Sequence, residues 1–229
     1  MKVVVLTGAG ISAESGLATF RSDTGLWAEY RIEDVCTPEA LQRDPTTVLE
    51  FYNLRRREAA SAEPNAAHHA LAELERHTEV QIVTQNIDDL HERAGSRRVH
   101  HLHGEVFKVR SMENFNLVME ARDDIIVGDL APDGSQLRPH VCFFGETPYG
   151  FELATDWAMQ ADVFVVIGTS LNVYPAAGLV DMTQAERIVL IDPDPPRIGW
   201  LEGRLEVINE PASLGVPKLV RGLLANEPA

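Results

Sequence analysis

A short apolar strand followed at once by a glycine-rich turn is the feature that most constrains the fold. Residues 3–6 are all apolar and three of them are β-branched, which is typical of a strand buried on both faces. The turn has the spacing Gly8-x-Gly10-x-x-Ala13, which fits the dinucleotide-binding fingerprint with its permitted final alanine. We predict that a helix begins within residues 11–15 and that its unpaired N–H groups face an anion. A turn that needs its glycines for packing alone is the competing interpretation.

The rest of the chain alternates buried strands with helical segments. Such alternation predicts an α/β fold with a Rossmann-like, doubly wound parallel sheet. The predicted strands after the first are residues 80–84, 97–103, 161–167 and 187–191. The predicted helices begin at Thr37-Pro38, with Thr37 as the cap, and cover 46–75 with a break at 63–65, where Asn65 caps the second helix. Further helices are predicted over 149–159, 174–186 and 212–224.

Two segments do not fit the α/β rhythm and predict a smaller inserted lobe. The gap between the first two strands is far longer than an ordinary crossover, and residues 106–138 lack the alternation of strand and helix. We predict one domain over residues 1–229. Its large lobe comprises 1–31, 77–103 and 139–229, and its small lobe comprises a helical module, 32–76, and a second module, 104–138.

The charge and cysteine content exclude several classes of protein. The net charge is −15, from 35 acidic and 20 basic residues, which argues against binding to nucleic acid or to an anionic membrane. No apolar run approaches the roughly 20 residues that a membrane span needs. Two cysteines, Cys36 and Cys142, do not make a disulfide framework. We expect a cytoplasmic protein.

Five short blocks occur in the order known from one family. The chain has GAGIS at 8–12 with FR at 20–21 and GLW at 25–27, then QNID at 85–88, HG at 103–104, VCFFGE at 141–146 and GTSL at 168–171. In these blocks, which extend from residue 3 to about residue 217 with their flanks, the sequence resembles the sirtuins, the NAD-dependent protein lysine deacylases. The resemblance implies NAD as co-substrate, acylated lysine in a protein or peptide as substrate, and nicotinamide, free lysine and O-acyl-ADP-ribose as products.

The resemblance also assigns the catalytic residues. It identifies His103, the histidine before a glycine, as the general base that takes a proton from a ribose hydroxyl, a task that suits a neutral imidazole. The resemblance also implies that Asn86 and Asp88 face the nicotinamide end of NAD. A satisfied core histidine and an ordinary polar loop with Asx turns are the structural alternatives for these residues.

The residues that would contact NAD lie mainly at the carboxyl ends of predicted strands, where ligands bind in open α/β sheets. Asp192 stands where family members commonly have asparagine. The residues that the resemblance implies are Gly8, Ala9, Gly10, Ile11, Glu14, Thr19, Phe20, Arg21, Trp27, Gln85, Asn86, Ile87, Asp88, Gly168, Thr169, Ser170, Asp192, Pro193, Asp194 and Ala212.

Two further blocks point to the substrate. The resemblance implies that the segment with Val141, Phe143, Phe144 and Gly145 pairs with an extended substrate peptide as an added strand, although an internal sheet edge fits the pattern equally well.

Tyr52 and Arg55 lie at i and i+3 on one helix face and match the sirtuin subgroup that removes acidic acyl groups. A phenol and a guanidinium suit the distal carboxylate of a succinyl or malonyl group. Three consecutive arginines at 55–57 are otherwise typical of a solvated helix surface.

The chain departs from the family pattern in its small lobe. Most sirtuins hold a structural zinc ion there with two CxxC pairs, whereas residues 104–138 contain no cysteine. We therefore predict no zinc site. Apolar contacts should support the lobe instead, from Phe107, Phe115, Leu117, Ile125 and Leu130.

Three other functions remain open at this stage. A hydride-transferring dehydrogenase would use the same glycine-rich turn, but the chain lacks room for a separate substrate domain. An ADP-ribosyltransferase would share the first chemical step. A non-catalytic module that binds NAD or acyl-lysine would have no need of His103, Asn86 and Asp88.

Overall fold

The computed structural model describes residues 1–19, 30–196, 201 and 203–225. Three residues expected to contact NAD, Phe20, Arg21 and Trp27, lie outside the described residues. No helix in the described ranges has the length and apolar character needed to cross a membrane.

A six-stranded parallel sheet forms the centre of the protein, as predicted. Its strand order is β3-β2-β1-β7-β8-β9, so the chain runs outward in one direction from β1 and in the other from β7. The space between β1 and β7 is therefore the topological switch point, where open α/β sheets bind ligands. The strands are β1 (Lys2–Thr7), β2 (Glu79–Thr84), β3 (Val99–His101), β7 (Val163–Ile167), β8 (Arg187–Ile191) and β9 (Leu205–Ile208).

Helices cover both faces of this sheet. On one face, α4 and α8 pack against the buried side chains of β1, β2, β7 and β8, and on the other face α6 and α7 do so. The helices are α1 (Ile32–Val35), α2 (Pro38–Arg43), α3 (Pro45–Ser61), α4 (Ala66–Glu75), α5 (Leu90–Ala94), α6 (Phe151–Met159), α7 (Leu179–Met182) and α8 (Ala212–Ala225).

The predicted helix starts at Thr37 and Asn65 are confirmed by their caps. The Thr37 hydroxyl accepts a hydrogen bond from Ala40 N, and the Asn65 side chain accepts one from Ala67 N. The His68 ring completes a capping box by accepting from Asn65 N. Each cap satisfies a backbone donor that would otherwise be unpaired at the helix end.

Three expected elements differ in the structure. The helix predicted within 11–15 is instead two 3₁₀ turns, Ala9–Ile11 and Ala13–Ser15, and Gly16 in a left-handed conformation (φ 90°) ends the second turn. The helix predicted over 174–186 is reduced to a 3₁₀ turn, Ala176–Gly178, followed by the one-turn α7. Strand β9 was not predicted, because it lies at the sheet edge and its residues are half-buried or exposed.

A second, three-stranded antiparallel sheet with the order β5-β4-β6 forms the centre of the small lobe. Its strands are β4 (Gly104–Ser111), β5 (Val118–Glu120) and β6 (Leu137–Val141). Strand β6 thus pairs within the small sheet, although residues from 139 onward were expected in the large lobe. Helix α4, expected in the small lobe, packs in the core of the large sheet. The exact lobe boundaries stay a prediction.

The expected apolar support of the small lobe is only partly present. Phe107 and Ile125 are buried and Leu117 is half-buried, but Phe115 and Leu130 are 53% and 60% exposed. The prediction was wrong for Phe115 and Leu130, because both lie on the solvent side of the lobe.

Polar side chains on α3 supply part of the missing support. The Asn53 amide donates to Ile125 O (2.8 Å) and accepts from Ile125 N (2.9 Å). Arg56, which is only 1% exposed, donates through Nε to Val106 O (3.0 Å) and through a terminal nitrogen to Asn53 Oδ1 (2.7 Å). The second of the three arginines is therefore a structural residue that joins α3 to β4, and not part of a solvated surface.

A second polar cluster closes the far end of the small sheet. The buried Ser111 hydroxyl donates to Asp133 Oδ2 (2.6 Å) and accepts from Glu113 N (3.0 Å) and Asn114 N (2.8 Å). Ser135 donates to the same carboxylate through its hydroxyl (2.8 Å) and its backbone N–H (3.1 Å). The cluster ties the end of β4 to the turn before β6.

We expect Ser111→Ala to destabilise the protein by about 1–3 kcal/mol, because it removes the partner of one carboxylate oxygen and of two backbone donors. Urea unfolding of the variant should show this loss, whereas Ser61→Ala, at the exposed end of α3, should not. Equal stability of the Ser111 variant and the parent would contradict the role of the cluster.

A separate measurement tests the prediction that the small lobe has no zinc site. An excess of EDTA should leave the melting temperature of the parent protein unchanged.

Candidate active site

The loops after β1 and β7 touch at the switch point. Gly8 N donates to Ile167 O (3.0 Å), and Gly10 N donates to Gly168 O (2.8 Å). A Cβ atom on Gly10 would lie 2.6 Å from Gly168 Cα, and one on Gly8 would lie 2.7 Å from Gly168 O. Both glycines are therefore required for the contact between the two loops.

The backbone of the glycine-rich turn differs from the expectation. The N–H groups of Gly8, Gly10, Ile11 and Ser12 all donate to backbone carbonyl groups, so none of these four is an unpaired anion donor. The expectation of unpaired donors therefore does not hold for these four N–H groups, because the segment after β7 and the 3₁₀ turns use them, and it stays a prediction for the N–H groups of Ala13 and Glu14. The glycines instead allow the loops after β1 and β7 to touch, and the side chains described next lie beside this contact.

A buried hydrogen-bonded group lies beside the contact between the two loops. It consists of Ser12, Asn86 and Asp88. The Asn86 amide donates to Gly8 O (3.2 Å) and Ser12 Oγ (3.2 Å), and Ser12 Oγ donates to Asp88 Oδ2 (3.1 Å). Leu90 N donates to Asp88 Oδ1 (3.1 Å). Burial raises the pKa of Asp88, and the hydrogen bonds from Leu90 and Ser12 partly offset this effect.

His103 lies next to the same strand end, just after β3. Its Nδ1 is 3.0 Å from Gln85 O, and because a carbonyl oxygen only accepts, Nδ1 carries the proton of the neutral ring. Nε2 then presents a lone pair, and it makes no hydrogen bond within the described part of the chain. Burial lowers the pKa of His103, partly offset by the hydrogen bond to Gln85. The ring is thus neutral at pH 7 and is able to accept a proton.

Gln85, which follows β2, connects the ends of β1, β3 and β7. Its N–H donates to Thr7 O (2.9 Å), its side-chain amide donates to Thr169 Oγ1 (3.0 Å), and its carbonyl holds His103. The structure therefore brings the sequence-predicted residues Gly8, Gly10, Gln85, Asn86, Asp88, His103, Gly168 and Thr169 together.

Sequence reasoning missed two supporting residues of this group. Ser12 belongs to the GAGIS block but was given no role, although it bridges Asn86 and Asp88. His101 lies with Nδ1 3.0 Å from Asn86 O and Nε2 2.8 Å from Glu92 Oε1. Because both ring nitrogens face acceptors, the imidazolium is favoured, and the Glu92 carboxylate raises the pKa of His101 against the opposing effect of burial. The alternation VHHLH already indicated that His101 shares a face with His103.

Several predicted NAD residues lie further out along the same edge. The Glu14 carboxylate accepts from Ser213 N (3.0 Å) and Ser213 Oγ (2.6 Å), so it is placed beside Ala212 at the start of α8. Asp194 N donates to Asp192 Oδ1 (2.8 Å) in the turn after β8, where Pro193 is exposed.

The remaining predicted NAD residues have no direct role in the buried group. Ile87 packs toward the small lobe, and its carbonyl accepts from Val106 N. The residues Ala9, Ile11, Thr19 and Ser170 lie in the loops after β1 and β7.

The predicted substrate residues divide into two groups. Tyr52 donates its hydroxyl to Cys36 Sγ (3.4 Å) and stacks on the Phe143 ring at a centroid distance of 5.5 Å. Arg55 forms an ion pair with Glu58 one turn along α3. Tyr52 and Arg55 therefore share a helix face, but their polar groups have separate partners.

The segment after β6 packs beside Cys36 and Tyr52. Phe144 N donates to Cys36 O (2.9 Å), and its ring is 45% exposed. Phe143 N donates to Glu146 Oε2 (2.8 Å), and Gly145 has a left-handed backbone (φ 91°) that favours glycine. Val141 ends β6 in the small sheet. Within the ranges that the structure describes, no group of three or more His, Cys, Asp or Glu side chains is placed to hold a metal ion.

A buried histidine pair beneath the site predicts sensitivity to acid. Burial lowers the pKa of His68 to about 4, and the ring of His91, 4.9 Å away, is also kept neutral by burial. In an unfolded chain the pKa is about 6.5, so below that value the unfolded state binds more protons and the folded state loses stability.

We expect the free energy of unfolding to fall by about 2 kcal/mol between pH 7 and pH 5 from His68 alone. Urea unfolding at the two pH values measures the fall. His68→Leu should make the dependence shallower, and His69→Leu, exposed on the same helix, should not. An identical pH dependence in the parent protein and the His68 variant would contradict the assignment.

Comparisons with known proteins agree with this geometry. The model of the Sir2 family matches residues 8–175. The chain is 56% identical over 203 residues to an NAD-dependent protein deacylase of Aggregatibacter actinomycetemcomitans, covering 86% of this chain and 98% of the relative. It is 47% identical to one of Bacteroides thetaiotaomicron, with 97% of each chain covered.

Solved structures agree with the sequence comparison. A complex of a Sir2 homologue with NAD has a TM-score of 0.87 and 39% identity, covering 98% of this chain and 90% of that one. A Sir2 variant with a deacetylated p53 peptide and 3′-O-acetyl-ADP-ribose has a TM-score of 0.78 and 29% identity, covering 98% and 92%. The resemblance read from the motifs is thereby confirmed, and the chain belongs to the Sir2 family.

Proposed function

We propose that the protein is an NAD-dependent protein-lysine deacylase. The observation that carries this proposal is the convergence of a neutral imidazole, a buried carboxylate and a buried amide on the switch point of the sheet. The names of the relatives support the same activity. The proposed products are nicotinamide, free lysine and an O-acyl-ADP-ribose.

The side chains present fit the groups of NAD. A carboxamide needs acceptors for its NH₂ group, and the loop after β2 offers the Asp88 carboxylate and the side-chain oxygen of Asn86, whose own NH₂ group already donates to Gly8 O and Ser12 Oγ. Asp88 uses one hydrogen bond at each oxygen and keeps lone pairs available. We propose that Asn86 and Asp88 hold the nicotinamide end, and that residues at the ends of β7 and β8, including Thr169, Ser170, Asp192 and Asp194, face the phosphates and the adenosine ribose. NAD supplies an electrophilic ribose carbon and nicotinamide as its leaving group.

His103 is proposed as the general base. Its tautomer is fixed by Gln85, so that Nε2 accepts a proton from a hydroxyl while Nδ1 stays bonded to the backbone. The lowered pKa keeps the ring unprotonated at neutral pH. Ser12 and His101 are proposed to keep Asn86 and Asp88 in place rather than to touch the substrate.

The peptide is proposed to lie along the segment after β6. The exposed Phe144 ring and the left-handed Gly145 mark the open side of this segment, where an extended chain could add as a strand. A Sir2 neighbour was solved with a deacetylated p53 peptide. The acyl-lysine would then reach inward past Phe143 and Tyr52.

The acyl preference is proposed to include acidic groups. A phenol and a guanidinium on one helix face bind a distal carboxylate by charge-assisted hydrogen bonds, and an acetyl group gives them nothing to hold. Arg55 is the relevant cation because Arg56 is committed to Val106 O and Asn53, and Arg57 pairs with Asp124 at the surface. Succinyl-lysine and malonyl-lysine are the proposed acidic substrates.

Mass spectrometry of acetylated and succinylated lysine peptides, incubated with and without NAD, tests the function. We expect deacylated peptide, nicotinamide and O-acyl-ADP-ribose in equal amounts and only when NAD is present. Transfer of ADP-ribose to protein, without loss of the acyl group, would instead indicate an ADP-ribosyltransferase. Unchanged peptides and unchanged NAD would contradict both activities.

A further inference from the structure

Glu58 forms an ion pair with the guanidinium of Arg55, the group that an acidic acyl chain would need. It lies one turn after Arg55 on α3, and the two side chains form an ion pair. The side chain of Arg55 is 13% exposed and that of Glu58 is 34% exposed, so the pair lies at the border between solvent and interior. An ion pair in this position is screened less than one on the open surface.

Arg55 keeps unused donor capacity in this arrangement. Its Nε is buried and makes no hydrogen bond to any residue that the structure describes. A guanidinium has five N–H donors in a planar fork, which matches a carboxylate in a bidentate manner. Buried donors without partners cost free energy, so the arrangement favours a second acceptor at Arg55.

The Tyr52 hydroxyl is also occupied, but by a much weaker partner. It donates to the Cys36 thiol at 3.4 Å, and burial raises the pKa of Cys36 to about 11, so the sulfur is uncharged. A neutral thiol is a weak acceptor and yields readily to a carboxylate. Glu58, by contrast, is a carboxylate like the incoming group and is paired with the Arg55 guanidinium.

We propose that Glu58 is an internal competitor for Arg55, and that it sets how strongly the enzyme prefers acyl groups with a distal carboxylate over neutral ones. This inference rests on the proposed acidic-acyl function. An incoming carboxylate must displace Glu58 or share Arg55 with it, and two like charges on one cation repel each other. Neutral acyl groups do not use Arg55, so Glu58 should not affect them.

The test is the equilibrium binding of three matched lysine peptides to the full-length protein, followed by steady-state kinetics with NAD. The peptides carry an acetyl group, a succinyl group, or the uncharged amide of the succinyl group, which has the same size. Glu58→Gln should tighten binding of the succinyl peptide and lower its KM about threefold to tenfold, the range for a partly buried ion pair. Binding of the other two peptides should not change.

Two controls separate charge from structure. Glu50→Gln removes the same charge from an exposed position on the same helix and should affect none of the three peptides. In an Arg55→Met background, Glu58→Gln should have no effect on the succinyl peptide, because the group under competition is gone.

Weaker or unchanged binding of the succinyl peptide to Glu58→Gln would overturn the proposal, since Glu58 would then orient Arg55 or have no role. Failure of the proposed function has a different signature. The parent protein would bind peptides without consuming NAD, and the binding comparison would still decide the role of Glu58.

Discussion

His103→Ala is expected to lower kcat/KM for acyl-lysine peptides by about two to four orders of magnitude, the usual contribution of a general base. The variant loses the Nε2 lone pair, and no other histidine can replace it. His101 is held between Asn86 O and Glu92. The Nε2 atom of His100 lies 2.9 Å from Tyr149 O and so has its own partner. Steady-state kinetics with an acetyl-lysine peptide and saturating NAD measures the loss.

The control for this prediction is binding. The affinity for ADP-ribose, measured by calorimetry, should stay within a few-fold of the parent value, because the expected contacts of Asn86 and Asp88 remain. His69→Ala, at an exposed position on α4, should keep full activity. If His103→Ala retained more than a tenth of the parent activity, the role of His103 as base would be refuted. An equal loss of ADP-ribose binding would assign it to positioning instead.

The acid limb of the pH profile offers a second check on the same residue. Burial lowers the pKa of His103, so the ring stays neutral somewhat below the pH at which a free histidine protonates. Activity should therefore decline on the acid side below about pH 6.5, where a free imidazole would titrate. A decline that began well above neutral pH would indicate a different titrating group.

The sequence was most informative where a local pattern determines local structure. Continuous apolar runs rich in β-branched residues, such as residues 3–6 and 163–167, predict buried parallel strands, because only a strand covered on both faces is apolar throughout. The helix caps at Thr37 and Asn65 were readable for a similar reason, since a cap is satisfied within a few residues of itself. Strand β9 was missed because an edge strand needs no such pattern.

Long-range contacts set the limit of what the sequence could reveal about the site. The fingerprint predicted a nucleotide-binding turn, but it could not show that Gly10 closely approaches Gly168 in the loop after β7. The role of Ser12 depends on two side chains more than 70 positions away. The burial of Arg56 depends on Val106, and the sequence shows only three arginines in a row. Such pairings arise from the topology, which no local pattern records.

The polar support of the small lobe follows the same logic. The sequence showed that no cysteines were available, and apolar contacts were the simplest substitute. The structure adds to the buried Phe107 and Ile125 three polar side chains, Asn53, Arg56 and Ser111, each of which satisfies backbone groups that a small, loop-rich sheet leaves unpaired. Buried backbone donors and acceptors must find partners, so polar side chains are as effective here as apolar ones.

Arg55→Met is expected to lower kcat/KM for a succinyl-lysine peptide about tenfold to a hundredfold, which corresponds to the loss of one or two hydrogen bonds to a charged group. Methionine keeps much of the length and packing of the arginine stem, so the change removes the charge more than the volume. Activity on an acetyl-lysine peptide should stay within about twofold, because an acetyl group does not extend to a distal cation. The ratio of the two kcat/KM values, measured in parallel, is the decisive quantity.

Arg57→Met is the matched control for this prediction. Arg57 lies on the same helix, carries the same charge and forms a surface ion pair with Asp124. Its removal should therefore leave the ratio of the succinyl to the acetyl kcat/KM unchanged. A general weakening of the helix would lower both activities of the Arg55 variant together, and the ratio would then stay at the parent value. That outcome would remove Arg55 from the acyl site and, with it, the reason to expect acidic acyl groups as substrates. A fall confined to the succinyl peptide would support the proposal that Arg55 binds the distal carboxylate.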